Sequence, residues 1–256
     1  MVDERGVIEE TIVLGGRYVF MKVRAKTVAD EAKPGNFVMA RPRNSMDPLL
    51  RRPLGILKTN DHLIWFYFQV IGKGTSALAS LKPGDGVDIL GPLGNSFPEI
   101  RGRNILLIAG GRGIVPLFFY ASRVSPANSV YLIYGGKGKN DLNLTPDIHA
   151  LSLKRTFLFS EDGSLGERGI ATQDVKKIID ELQIDVTCSC GPEPMLKRLA
   201  EILRPLPTTD LASLEAFMGC GFGVCHSCAV QMASGRYQKV CVDGPVFPLE
   251  EIAWSI

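Results

Sequence analysis

The sequence predicts a multidomain β + α/β protein: an N-terminal antiparallel β-barrel, a Rossmann-like parallel-sheet domain and a small C-terminal cysteine module. Three observations predict it. Residues 1–98 read as short strands broken by Gly and Pro, which favours a small barrel. Residues 99–207 alternate apolar strand-like runs with helical stretches, the pattern of an open α/β sheet. Residues 208–256 hold four of the six cysteines.

Composition narrows the class. The 256 residues are 45% hydrophobic and 22% charged, as in a globular protein with a real core. With 29 basic and 27 acidic residues the net charge is +2, so no nucleic-acid footprint is expected. The longest apolar run, from Leu63 to Ile71, includes Gln69 and is too short to span a bilayer. The N-terminus, Met1-Val2-Asp3-Glu4-Arg5, lacks an apolar signal region. A cytoplasmic location with reduced thiols is the expectation, with no membrane partner.

In the barrel the expected strands are 17–23, 37–40, 56–58, 63–70 and 86–90. Two segments between and beside them suit an anionic ligand. Arg51-Arg52-Pro53-Leu54-Gly55 sets an Arg beside a Pro in extended chain, and a guanidinium is a fixed fork of donors for a diphosphate. The alternative is a pair of solvated charges. Val70-Ile71-Gly72-Lys73-Gly74-Thr75 then runs through a glycine turn into a short helix, with Thr75 as expected N-cap. The alternative there is an ordinary capped turn.

In the α/β region, strands are expected at 105–109, 130–134, 156–159 and 186–190. Helices are expected at 115–124, at 172–182 with Thr172 as N-cap, and over the amphipathic run from Met195 to Leu203. The first strand ends in Gly110-Gly111-Arg112-Gly113, with Pro116 placed to be the first helical residue. The last ends in Cys190-Gly191-Pro192. Ligands of such sheets sit at the carboxyl ends of strands, so these two loops are the candidate dinucleotide site. Cys188 and Cys190 are expected to be wall residues.

The cysteine module reads Gly219-Cys220-Gly221-Phe222-Gly223-Val224-Cys225-His226-Ser227-Cys228, and twelve residues separate Cys228 from Cys241. C-x4-C-x2-C with a distant fourth Cys is the plant-type spacing for a [2Fe–2S] cluster. Three sulfurs must point inward from one tight loop, and Gly219, Gly221 and Gly223 are expected to supply the backbone angles. A zinc site, a disulfide pair and inert buried thiols are the alternatives. Zinc favours two C-x2-C elements, and the module has one. His62, His149 and His226 are expected to be structural or surface residues, and no catalytic side chain is assigned.

Taken in order, these motifs resemble the ferredoxin–NADP reductase superfamily with a cluster module appended. More closely, they are similar to the electron-transfer subunit family of type B dihydroorotate dehydrogenase. Four segments carry the resemblance across essentially the whole chain: Arg52-Pro53-Leu54-Gly55; Gly72-Lys73-Gly74-Thr75; Glu161-Asp162-Gly163-Ser164-Leu165-Gly166 with Gly169; and the cysteine module ending Val240-Cys241-Val242-Asp243-Gly244-Pro245-Val246-Phe247.

The resemblance implies a flavin-binding barrel over 1–98, an NAD-binding α/β domain over 99–207 and a [2Fe-2S] cluster module over 208–256. It implies that Arg52, Pro53, Leu54 and Gly55 bind FAD, with Tyr67, Phe68 and Gln69 flanking the adenosine half and Gly74 and Thr75 on the diphosphate. Gly110, Gly111 and Gly113 are implied to approach NAD, an exchangeable substrate, opposite Cys190, Gly191 and Pro192. Cys220, Cys225, Cys228 and Cys241 are implied as cluster ligands. The chain departs from the family pattern at Gly55, Gln69 and Arg112, where Ser, Arg and a small residue are usual.

The implied activity is a relay in de novo pyrimidine (UMP) synthesis. Electrons pass from FMN in a separate dihydroorotate dehydrogenase catalytic subunit through the cluster and FAD to NAD⁺, in a heterotetramer of two catalytic and two electron-transfer subunits. The apolar tail from Val246 to Ile256 is expected either to face the partner or to cover the module's own core. Subunits of hydrogenase, sulfide reductase and NADH–ferredoxin:NADP oxidoreductase complexes are similar chains, so another redox complex is an alternative. A zinc-stabilised binding module without turnover is the alternative from a different class.

Overall fold

The structure is a computed structural model that describes residues 1–43 and 47–254. The chain divides into two compact units. Unit 1 comprises residues 1–96, 216–229 and 239–245, and unit 2 comprises residues 97–215, 230–238 and 246–256.

Among the described residues, six strands close the barrel of unit 1: β1 (Val2–Leu14), β2 (Tyr18–Arg24), β3 (Phe37–Pro42), β4 (Arg52–Asn60), β5 (Leu63–Gln69) and β6 (Gly86–Leu93), in the order β1-β2-β5-β4-β3-β6. Every pairing is antiparallel, and β6 returns to β1 to close the ring. Ile64, Phe66 and Phe68 alternate along β5 and are buried, so they share the core face with partners such as Val23, Ile56 and Ile89. Each fully buried aliphatic chain stabilises the fold by about 1.5–3 kcal/mol. Two short helices complete this part, α1 (Lys26–Glu31) and α2 (Lys73–Ala79).

β1 lies outside the strands expected from the sequence. Its apolar residues Val2, Val7, Ile8, Ile12, Val13 and Leu14 do not alternate with polar ones, and only Gly6 and Ile8 are buried, so it lacks the period-two pattern of a half-buried strand. It is held by pairing along both edges, with β6 over its first half and β2 over its second.

Unit 2 is built on a seven-stranded sheet with the order β10-β9-β8-β7-β11-β12-β15. The strands are β7 (Asn104–Gly110), β8 (Ser129–Gly136), β9 (Arg155–Ser160), β10 (Glu167–Arg168), β11 (Val186–Cys190), β12 (Thr209–Ser213) and β15 (Val246–Pro248). A separate ribbon pairs β13 (Ala229–Gln231) with β14 (Tyr237–Lys239). All sheet neighbours are parallel except β15 on β12. The helices are α3 (Ile114–Val124), α4 (Thr145–Ile148), α5 (Val175–Leu182) and α6 (Glu193–Leu203). Val175, Ile178 and Ile179 of α5 and Leu196, Leu199 and Leu203 of α6 are buried, which is the i, i+3, i+4 stripe of an amphipathic helix.

Three local expectations are corrected. Thr172 lies outside α5, and Asp174 holds its N-cap position. Pro116 is the third residue of α3, not the first; its missing N–H still costs nothing because the first four helical amides lack carbonyl partners within the helix. Thr75 is also a third helical residue, with Gly72 at the N-cap position of α2. The Thr75 hydroxyl reaches back to accept from the N–H groups of Ile71 and Gly72 at 3.0 and 3.2 Å. The cap survives with its direction reversed.

Residues 208–256 are shared between the two units. Thr209–Ser213 extends the parallel sheet, and Val246–Pro248 pairs with it in antiparallel register. Val246, Phe247, Leu249 and Ile252 are buried, so this stretch of the tail covers core. The last two residues of that tail, Ser255 and Ile256, lie outside the described residues. Among the described residues, no helix is long and apolar enough to cross a membrane.

Candidate redox sites

Arg52 and Gly74, twenty-two positions apart, are brought together by β4 and α2. A Cβ on Gly74 would lie 2.1 Å from Arg52 Nε and 2.7 Å from Cζ, so glycine is what lets the guanidinium lie across the start of the helix. Arg52 Nη1 donates to the carbonyls of Leu50 and Arg51 at 2.8 and 3.3 Å, which leaves other donors of the fork for a ligand. Arg51 is a different case: its Nη2 bridges both carboxylate oxygens of Asp3 on β1. Of the two adjacent arginines, one ties the barrel and one meets the glycine turn.

Pro53, Leu54 and Gly55 follow in β4, paired with Met39, Val38 and Phe37. Leu54 is buried, whereas Pro53 and Gly55 are partly exposed. On β5, Tyr67 stacks on Tyr18 with ring centroids 5.5 Å apart and planes 4° from parallel. Phe68 sits on the core face with Phe66, so its side chain is directed away from the face that carries Tyr67 and Gln69. Arg52, Gly74 and Thr75 thus form one cradle, which a Cβ at position 74 would fill; this geometry suits a dinucleotide diphosphate.

In unit 2 the two expected loops do meet. Ala109 and Cys190 are register partners on the neighbouring strands β7 and β11. A Cβ on Gly113 would stand 1.9 Å from the Cys190 carbonyl oxygen, and one on Gly110 would stand 2.7 Å from Met195 Sδ and 2.9 Å from Pro192 Cδ. Gly111 differs: its φ is +54° and its Cβ direction is open, with nothing within 4 Å. Two glycines therefore let the loops close together and the third presents bare backbone to open space, as a close-approaching diphosphate requires. Cys188 and Cys190 are buried, and burial foremost raises both thiols far above the ordinary range. They are wall residues.

The Glu161-to-Gly166 segment forms the turn after β9. Gly166, with φ +70°, faces the Leu158 carbonyl oxygen at 2.2 Å from its would-be Cβ. Asp162 Oδ1 accepts from the Ser164 N–H and hydroxyl at 2.9 and 2.6 Å. Those two bonds hold its carboxyl below the usual range. The Lys139 N–H donates to Ser164 Oγ at 2.8 Å, tying this turn to the loop after β8.

The four module cysteines lie together in unit 1. They pair two and two. Cys228 Sγ and Cys241 Sγ are 3.2 Å apart, and the Cys225 N–H points to Cys220 Sγ at 3.5 Å. None of the six cysteines is joined in a disulfide. Gly221 and Gly223 have φ of +83° and +88°, angles that a β-carbon resists. Gly219 does not share this conformation; its would-be Cβ instead faces Cys225 Sγ at 3.2 Å. His226 also takes a positive φ, +60°, which the composition did not signal.

Electrostatics differ across the two pairs. Ser227 Oγ lies 3.2 Å from Cys225 Sγ and, with the Ser227 N–H and Cys220, pulls that exposed thiol down to about 6. Burial foremost, then Cys228, pushes Cys241 up to about 12. Among the described residues, no three or more His, Cys, Asp or Glu side chains converge on the geometry of one ion. A two-iron cluster needs two thiolates per iron, and paired thiols with amides aimed at sulfur fit that donor set.

Comparison with known proteins agrees with this geometry. Residues 215–253 match the iron-sulfur cluster binding domain of dihydroorotate dehydrogenase B. The chain is 34% identical over 251 residues to a dihydroorotate dehydrogenase B (NAD(+)) electron transfer subunit homolog of Aquifex aeolicus, covering 96% of each. It is 36% identical over 259 residues to the dihydroorotate dehydrogenase B (NAD(+)) electron transfer subunit of Geobacillus thermodenitrificans, covering 97% of this chain and 98% of the relative. Among solved structures, a chain of an NADH-dependent reduced ferredoxin–NADP oxidoreductase superposes with a TM-score of 0.88 at 30% identity, covering 97% of this chain and 90% of that one. A ferredoxin NADP+ reductase from Neisseria gonorrhoeae with bound FAD and NADP superposes at 0.66 and 15% identity, covering 79% and 90%, a likeness of fold.

Proposed function

The chain belongs to the family of dihydroorotate dehydrogenase B electron-transfer subunits, and from that premise we propose that its sites serve a relay ending at NAD⁺. It is an oxidoreductase subunit of pyrimidine synthesis, with dihydroorotate oxidised at FMN in a partner catalytic subunit. When bound, the cluster carries single electrons and FAD exchanges between one- and two-electron chemistry, which a hydride acceptor requires.

The chain's own residues have distinct tasks. Arg52, with Gly74 and Thr75, holds the FAD diphosphate; Pro53, Leu54 and Gly55 run along the flavin; and Tyr67, Gln69 and the Phe68 backbone flank the adenosine half. Gly110, Gly111 and Gly113, opposite Cys190, Gly191 and Pro192, receive the nicotinamide dinucleotide. Cys220 and Cys225 hold one iron, and Cys228 and Cys241 the other. The observation that carries this reading is the two-by-two arrangement of thiols in a chain that matches the family from end to end.

The finer assignments are part of the proposal: a functional division at 1–98, 99–207 and 208–256, a cytoplasmic location, and a heterotetramer of two catalytic and two electron-transfer subunits. The partner contact is proposed around the cysteine loop, not on the tail. Phe217 is 93% exposed, and Phe222, Val224 and Val242 are also exposed, an apolar rim with the character of an interface core.

Anaerobically purified chain should release FAD and contain about two irons and two sulfides, as a plant-type thiolate set requires. A colourless, zinc-containing protein would sink the relay. The 30% identity to the reduced ferredoxin–NADP oxidoreductase chain favours a second reading, a subunit of such a complex. Tagged chain purified from its source decides between them: an FMN-containing dihydroorotate-oxidising partner supports the first, and a different flavoprotein partner supports the second.

A further inference from the structure

Arg112 is the one bulky residue in the loop Gly110-Gly111-Arg112-Gly113. With Gly110 and Gly113 pressed against the second loop, its side chain has to leave the loop in another direction. It extends toward Glu215, and Arg112 Nη2 stands 3.4 Å from Glu215 Oε2. Glu215 follows β12, which neighbours β11, which neighbours β7. The pair therefore reaches across the carboxyl ends of three adjacent parallel strands, over about 9.5 Å at the usual strand spacing. That is the side of the sheet on which such folds take their ligands.

The pair is built to be broken. Its side chains are 35% and 59% exposed, and the separation between Nη2 and Oε2 is long. Exposed ion pairs of this kind contribute little. A diphosphate offers the same guanidinium two oxygens in fork geometry, a stronger partner than one carboxylate oxygen. Cys190, buried at the end of β11, senses both charges after burial itself: Glu215 raises its thiol and Arg112 lowers it, which places the pair beside the second loop.

We propose that Arg112 is a positioning residue for the dinucleotide: Glu215 holds its guanidinium when the crevice is empty, and the incoming diphosphate takes it over. This rests on the dinucleotide reading of these loops given above. It goes further by assigning the diphosphate, rather than the nicotinamide or adenine, to a side chain, and by giving Glu215 the part of an internal competitor.

The test is equilibrium binding of ADP-ribose, which has the diphosphate and no nicotinamide, to the full cofactor-loaded chain by calorimetry. Arg112→Ala should raise Kd roughly ten- to hundredfold, the loss of a charge-assisted hydrogen bond. Arg112→Lys should recover part of it, while flavin and iron contents stay unchanged. Glu215→Gln should tighten ADP-ribose severalfold, and in the Arg112→Ala background it should do nothing. Adenosine binding should be indifferent to all of these. If the wild-type chain binds ADP-ribose and both Arg112→Ala and Arg112→Gln bind it equally well, the inference is wrong while the site stands. If Glu215→Gln weakens binding as Arg112→Ala does, the pair is merely a brace for the loop and the inference is also wrong. A wild-type chain that does not bind ADP-ribose overturns the dinucleotide reading and this inference with it.

Discussion

Replacing Gly74 with alanine separates the geometry at Arg52 from the stability of the helix that follows. The new Cβ would sit 2.1 Å from Arg52 Nε and 2.9 Å from Cγ, so the side chain must swing away. The bonds from Nη1 to the carbonyls of Leu50 and Arg51 go with it. Both bonds are exposed or only partly buried, and their loss together costs about 1–2 kcal/mol. Alanine in place of glycine in a helix returns about 0.5–1 kcal/mol. Thermal stability should therefore move little. FAD affinity should not be spared: a lost hydrogen bond from a charged donor is worth roughly 1.5–3 kcal/mol, or about ten- to 150-fold in Kd. Titrating deflavinated chain with FAD and following flavin fluorescence measures this directly. Arg52→Gln should give a similar loss, and the double variant should be no worse than either single one, because both changes remove the same contact. An unchanged Kd in Gly74→Ala, with normal folding, would refute the reasoning; additive losses would show that Gly74 meets the flavin nucleotide independently of Arg52.

Serine in place of Cys220, Cys225, Cys228 or Cys241 should each abolish a stable cluster, whereas Cys188→Ala should leave iron and sulfide unchanged, as iron and sulfide assays would show. Ser227→Ala removes a hydroxyl 3.2 Å from Cys225 Sγ. Hydrogen bonds to a ligand sulfur favour the more negative, reduced cluster, so its midpoint should fall by about 40 mV, the equivalent of ~1 kcal/mol for one electron, in a potentiometric titration. Asp210 is raised foremost by burial, with Glu250 also raising it and Thr187 partly offsetting. A raised folded-state pKa means that the carboxylate's burial cost is fully present above that pKa, fades as pH falls through it, and is gone below the unfolded value of about 3.9. Asp210→Asn should therefore raise the melting temperature at pH 7–8, and the advantage should shrink towards pH 4; an advantage growing in acid would show the sign to be wrong. Phe217→Glu should weaken co-purification with the catalytic subunit at least tenfold without altering flavin or iron content.

The legible parts of the sequence were those whose signal is local. Apolar runs such as Ile105–Ala109 and Val186–Cys190 mark strands buried on both faces, and the structure extends them by a residue or two at most. The cysteine spacing was legible because a cluster loop cannot tolerate insertion between its thiols. β1 was not, because Gly6 and Ile8 are its only buried residues and its first half is ordered by hydrogen bonds to β6, some eighty residues away in sequence. Helix starts were misplaced for a related reason. Thr75 and Thr172 are both plausible caps by type, but where a helix begins depends on where its first turn can pack, which a side-chain preference does not encode.

The cysteine module shows the same limit at larger scale. Its ligands are contiguous in motif but its chain is not contiguous in space: residues 216–229 and 239–245 pack with the barrel's residues, and 230–238 and 246–254 with those of the sheet. Gly221 lies against Met39 and Leu93, and the Asn95 N–H donates to the Gly244 carbonyl at 2.6 Å. Val246–Pro248, only five residues beyond Cys241, is already a strand of the other unit. The four thiols thus belong to the same compact unit as Arg52 and Gly74, the residues proposed to hold FAD. For a relay this matters more than domain count. Electron transfer depends on separation, and ligands carried on one packed unit keep a fixed separation from that cradle. A cavity-forming change on the barrel side of the loop, Met39→Ala, should therefore broaden the cluster's spectroscopic signature and slow flavin reduction together, while dinucleotide affinity stays at its wild-type value; an effect confined to dinucleotide binding would contradict the assignment of the cluster loop to the barrel.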